Sequence, residues 1–141
     1  MDRRAGISRC LMGRIEHGKD LLDELTALCL QEHVTLGQVT AIGAMQKARV
    51  GYYNQKTRQY EYLEWNEEVE LLGLIGNVSI RDGKPAVHAH VTLADRKGNA
   101  FGGHLVQGTI VFACEYSLVI LEGPELTRRP DSTTGLPLWT E

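Results

Sequence analysis

The stretch from Val87 to Leu105, VHAHVTLADRKGNAFGGHL, holds three of the chain's five histidines. Neutral imidazole is the commonest side-chain ligand for transition metals, and three of them with one open position make a zinc site that keeps a water. Iron, nickel or manganese would also accept such nitrogens. The question is whether His88, His90 and His104 can reach one point.

Strand periodicity answers it. In PAVHAHVTLA the apolar Val87, Ala89, Val91 and Leu93 alternate with Ala86, His88, His90 and Thr92, so both histidines leave a strand on the face away from the core. Residues two apart on a strand lie about 6.5 to 7 Å apart at Cα, a gap two imidazoles can close around an ion. Asp95 to Asn99 reads as a hairpin loop, with Gly98 free to take a positive φ. Pairing Ala94 with Ala100 sets Leu93 opposite Phe101, Val91 opposite Gly103 and His90 opposite His104. A slip of one residue would turn Phe101 and Leu105 to the wrong face. In this register His90 and His104 face each other at about 5 Å between Cβ atoms. Gly102 and Gly103 leave room for a ligand or another backbone to come close. An H-x-H pair alone fits solvated histidines on a polar strand face equally well; the third histidine at the cross-strand position strengthens the metal reading.

Other candidates carry less. Glu70 opens the strand ELLGLIG and, with Asp95, is a candidate general base toward a metal-bound water. An exposed edge carboxylate is its ordinary alternative. His17 and His33 flank a helix, where capping or surface positions suit them better than ligation. Arg3, Arg4 and Arg9, or Arg128 and Arg129, could form an anion patch or a plain solvated surface. Tyr52, Tyr53, Tyr60, Tyr62 and Trp65 surround a hairpin and suggest packing or a subunit interface. Gly73 and Gly76 interrupt an apolar strand, as a bulge or a close approach would require.

The elements that must position these residues follow from the rest of the pattern. Ser8 to His17 alternates as a first strand. Leu21, Leu22, Leu25, Leu28 and Cys29 form the stripe of one amphipathic helix over Lys19 to His33, with Asp20 and Asp23 suited to its positive end. Short strands follow: VTLGQVTAIGAMQKARVGYYN, EYLEW, VELLGLIGNVSI, PAVHAHVTLA, AFGGHLV, TIVFACEY and SLVIL. Their connections are too short for crossover helices. The fold class is therefore α+β, a largely antiparallel sheet with one main helix packed on a face. A single domain over residues 1–125 precedes an extended tail, 126–141, whose Leu136, Leu138 and Trp139 could dock on the body or on a neighbouring subunit.

Composition narrows the function classes. With 141 residues, 43% hydrophobic and 23% charged, one domain with its own core is expected. A net charge of −3 supplies no overall drive toward a polyphosphate backbone. No apolar run reaches the roughly 20 residues of a membrane span, and no leader pattern is read at the start, so a cytoplasmic location is expected. Cys10, Cys29 and Cys114 are widely spaced and read as reduced thiols.

One family shares these marks in this order: AIGA (Ala41 to Ala44), the Gly-Tyr-Tyr strand (Gly51 to Tyr53), ELLGLIGN (Glu70 to Asn77), DGKPAVHAHVTLAD (Asp82 to Asp95) and GGHL (Gly102 to Leu105). From about Ser8 to Leu121 the chain resembles the plants-and-prokaryotes-conserved domain, the PPC family. The resemblance implies a homotrimer and a metal, typically zinc, held by the histidines matching His88, His90 and His104. It also implies DNA association, since plant relatives act in transcription and prokaryotic ones carry a DNA-binding label. The AT-hook core Arg-Gly-Arg-Pro is absent; only Arg128-Arg129-Pro130 comes near it. Gly73 stands where the family often has Ser.

Three functions are open: a trimeric metal-containing binding or regulatory module with DNA as its partner, a zinc-dependent hydrolase of a small molecule, and a structural ion fastening a hairpin or interface. With no nucleophile motif and no phosphate loop, the binding module is favoured and an enzyme is not.

Overall fold

The computed structural model describes residues 2–140. Along the chain run β1 (Gly6–Ile15), α1 (Leu21–Gln31), β2 (Gly37–Asn54), β3 (Gln59–Trp65), β4 (Val69–Arg81), β5 (Lys84–Ala94), β6 (Ala100–Leu105), β7 (Ile110–Glu122), β8 (Thr127–Pro130) and β9 (Pro137–Thr140). The expected α+β class holds. All pairings among the strands are antiparallel except that of β8 with β4.

The helix is shorter than the Lys19 to His33 expected, and its ends show why. Asp20 is the N-cap, its carboxylate accepting from the Leu22 and Asp23 amides at 3.0 and 3.1 Å, so the helix cannot begin earlier. His33, at φ 53, turns the chain out of the helix at the other end. Leu21, Leu25 and Cys29 are buried and pack on β5, joining Ala89, Val91 and Leu93 in one core cluster. Each fully buried leucine here contributes about 1.5–3 kcal/mol.

The 18-residue β2 is the spine. Its first half pairs with β7 on one side and β4 on the other, and its second half pairs with β3 and β6. Because β4 pairs with β5 and β5 with β6, the strands β2, β4, β5 and β6 close into a ring. Register shifts near Ala41 to Lys47 mark bulges in β2, the usual means by which a strand bends enough to close such a ring. The two segments TIVFACEY and SLVIL, expected as separate strands, form the single strand β7. Nothing breaks the ladder between them, since Ser117 pairs with both Met12 and Thr40.

The tail is extended, but its strands join the sheet. β8 and β9 form a hairpin, and β8 lies parallel to the end of β4, Ile80 beside Thr127 and Arg81 beside Arg128. Trp139 donates its indole N–H to Ser79 Oγ at 3.1 Å, so the tail docks on this chain's own body. No helix among the described residues is long and apolar enough to cross a membrane.

Candidate metal centre

The predicted hairpin register is the observed one. Ala94 pairs with Ala100, Leu93 with Phe101, Val91 with Gly103 and His90 with His104. Gly98 takes φ 81 in the connecting loop, and Asp95 Oδ1 accepts from the Lys97 and Asn99 amides at 2.8 and 3.0 Å. Burial holds β5 in phase: Ala89, Val91 and Leu93 face the core, so His88 and His90 must face away. His104 is fixed from both sides, because β6 lies between β5 and β2 and His104 also pairs with Gly51. That insertion accounts for the two glycines. A Cβ on Gly102 would collide with the Val91 carbonyl, and one on Gly103 would come within 2.8 Å of the Gly51 carbonyl. The close approach is by backbone.

The three imidazoles converge. Ring centroids lie 5.4 Å apart for His88 and His90, 5.0 Å for His88 and His104, and 5.4 Å for His90 and His104. One nitrogen from each lies within 4.8 Å of the others. Three nitrogens on one zinc are roughly 3.3 Å apart, given zinc–nitrogen bonds of about 2.0–2.1 Å, a difference that small χ rotations span. The donor set fits a transition metal that prefers imidazole over oxygen.

Electrostatics favour the neutral form of His88 and His104. Burial first, then the neighbouring His88, His90 and Arg128, push the His104 pKa down to about 4. Burial, Arg128 and His90 lower that of His88. A metal needs the deprotonated ring, so both shifts favour ligation. One contact opposes it: Arg128 Nη2 lies 3.3 Å from His88 Nδ1, and a guanidinium can only donate. A ligating histidine ordinarily gives its second N–H to an acceptor. Loading an ion at His88 therefore requires this contact to break, whichever ring nitrogen is used.

The histidines open on a cavity of about 800 Å³. Its wall includes Tyr60, whose ring lies 5.2 Å from that of His104, and three arginines, Arg58, Arg81 and Arg128. The sequence pattern offers Arg128 for an anion patch or a solvated surface, and the fold sets it beside His88. The one available signal was its position in a segment with three apolar docking residues.

The two carboxylates considered as bases are elsewhere. Glu70 pairs with Ala94, four residues and roughly 13 Å along β5 from His90. Glu70 and Asp95 line a different cavity of about 610 Å³, together with His17 and Phe112. The offset along β4 from Ile75, the partner of His90, to Glu70, the partner of Ala94, thus puts Glu70 out of reach of the histidines. His17 bonds the Phe112 carbonyl and Gln46 at 2.9 and 3.0 Å, and His33 is exposed at the helix end; neither joins the cluster. Arg9 pairs with Glu32 at 3.0 Å.

Known proteins share this fold. Over residues 3–122 the chain matches the family model of the Plants and Prokaryotes Conserved (PCC) domain. A metal-containing protein of Archaeoglobus fulgidus is 36% identical, superposes with a TM-score of 0.95, and is matched over 100% of this chain and 99% of that one. A plant- and prokaryote-conserved (PPC) protein of Pyrococcus horikoshii is also 36% identical, with a TM-score of 0.93 over 98% and 95% of the two chains. A protein of Ralstonia eutropha, whose name carries DNA binding as a supposition, is 26% identical with a TM-score of 0.83 over 92% and 90%. The bifunctional protein GlmU of a Synechococcus strain is 34% identical over 125 residues, 86% of this chain and 18% of that protein. The chain thus spans under a fifth of the length of the curated relatives it matches. With a family match across most of its length and the same fold in close structural relatives, the chain belongs to the Plants and Prokaryotes Conserved domain family.

Proposed function

We propose that the chain is a metal-containing binding or regulatory module that assembles as a homotrimer, with zinc held by His88, His90 and His104 and DNA as its partner. The convergence of three imidazole nitrogens within 4.8 Å carries the metal reading. The Archaeoglobus relative, described as metal-containing, supports it. An ion held by His88, His90 and His104 would supply Lewis acidity and a fixed positive charge. The chain's own residues orient the ligand rings through the β5–β6 register and keep His104 unprotonated by burial.

The trimer is supported by exposed apolar residues on the outer sheet face, Met12, Ile42 and Ile75, which are 83%, 58% and 76% exposed. Ile75 pairs directly with His90, so the cluster borders that face. DNA as the partner draws on the family relation and the Ralstonia protein's name, against a net charge of −3. The hydrolase reading lacks a base, since no carboxylate among the described residues lines the histidine cavity.

Metal analysis of the purified protein beside His88→Ala and His104→Ala tests the site; one ion per wild-type chain and background levels in both variants is the expected result, and equal, negligible metal in all three would remove it. Sedimentation at three times 15.7 kDa checks the trimer. A gel shift with random duplex that weakens with added salt is expected for DNA association; no shift at low ionic strength contradicts it.

A further inference from the structure

The cavity over the histidines holds a cation with no carboxylate partner among the described residues. Arg128 is half-buried, and its guanidinium donates to Ser79 Oγ at 2.9 Å, the Pro137 carbonyl at 3.1 Å and Asn77 Oδ1 at 2.7 Å. Every one of these acceptors is neutral. Ser79 is itself fully buried, so the guanidinium is anchored at a set position. The ion pairs among the described residues use Arg9, Arg49 and Arg81. Arg81's partner, Asp82, is 3.7 Å away, and both side chains are more than half exposed, a contact of little strength.

A second observation points the same way. Arg81 and Arg58 line the cavity with Arg128, and no carboxylate among the described residues does. Arg58 gives one N–H to the Ser132 carbonyl at 3.1 Å, which leaves its remaining donors free. A half-buried guanidinium that meets only neutral acceptors keeps its full charge available to an anion in the cavity. The rest of the wall is aromatic and apolar, with Tyr52, Tyr53, Leu136 and Leu138.

We propose that this cavity binds a small organic anion, a carboxylate or phosphate monoester on an apolar or ring-shaped body. Arg58, Arg81 and Arg128 grasp the oxyanion, and the tyrosines and leucines flank the body. A volume of about 800 Å³ lies in the range of small-molecule sites, whereas a duplex presents its phosphates on the outside of a wide rod that cannot enter it. The proposal deepens the metal reading, whose cavity it shares, and rests on it only for the extra attraction that a bound ion would add.

Calorimetric titration of chelator-treated and zinc-loaded protein with phenyl phosphate, benzoate and benzylamine tests it. Saturable binding of phenyl phosphate or benzoate at one per chain is expected in both forms, with no binding of benzylamine. Affinity should fall at least tenfold in Arg58→Gln/Arg81→Gln, and in the same direction by less in Arg81→Gln alone, whose side chain is exposed. Absence of binding to both anions, or unchanged affinity in the double variant, overturns the proposal. So does loss of random-duplex binding in that variant without any small-anion binding. Metal uptake without anion binding defeats this inference and leaves the metal reading standing; anion binding without metal uptake does the reverse.

Discussion

Two cavities share the strands β4 and β5, yet their chemistry is opposite. At one end lie His88, His90 and His104 with three arginines and, among the described residues, no carboxylate. At the other, Glu68, Glu70 and Asp95 stand beside Arg96 and His17. In the first, His88 and His104 are partly buried and their pKa values fall. In the second, Asp95 is lowered chiefly by its hydrogen bonds to Asn99, within its own loop. The contrast shows that residue type alone does not make a site. Position along a strand decides which groups meet, and burial decides which of them are held ready for a ligand.

Both ends rest on one core, so the largest effect should not distinguish them. Leu93 is fully buried between them, and Leu93→Ala should cost about 2–5 kcal/mol, read from the urea midpoint, while hydrogen exchange loosens β4 and β5 at both ends. A loss confined to one end would show that the two cavities do not share a cooperative unit.

Arg128→Ala should act on the histidine end only. It leaves buried Ser79 and half-buried Asn77 short of a partner and should cost about 1–3 kcal/mol. Faster exchange in β8 and β9, with the Glu70 end unchanged, is the expected pattern.

These two ends also differ in how far they could be read from residues alone. The β5–β6 register was legible because alternation, a glycine turn and matching apolar faces all agree on one pairing, and His90 opposite His104 follows from it. The helix was legible from its leucine stripe, though its ends depended on the Asp20 carboxylate and the backbone of His33. Arg128 was not legible at the site. β8 joins β4 in parallel across 46 intervening positions between Arg81 and Arg128, and no local turn encodes such a pairing. Glu70 was misplaced as a base because closeness to an apolar strand says nothing of where along that strand its neighbours fall. The ring of β2, β4, β5 and β6 also escaped, since it depends on bends in β2 that alternation does not reveal.

Acid should separate the ends more gently. The His104 pKa is about 4 when folded, against an ordinary 6.5. Between these values the unfolded chain takes up a proton that the folded chain refuses, so this contribution to stability is complete above about pH 6.5 and is lost as pH falls toward 4. Urea midpoints of chelated protein should decline through that window, and His104→Gln should flatten the decline.

The smallest effect is expected at Glu70, which is exposed. Glu70→Ala should change stability by no more than about 0.5 kcal/mol and leave metal content as it was. A drop in bound metal would bring Glu70 back into the site.

The central claim is that three imidazoles hold one ion. X-ray absorption at the metal edge of the purified protein tests it most directly, because it counts and types the ligand atoms. The account predicts about three imidazole nitrogens at roughly 2.0–2.1 Å for zinc, reduced by one or lost with the metal in His90→Ala. A sulfur ligand, an all-oxygen shell, or an unchanged spectrum in His90→Ala would contradict it.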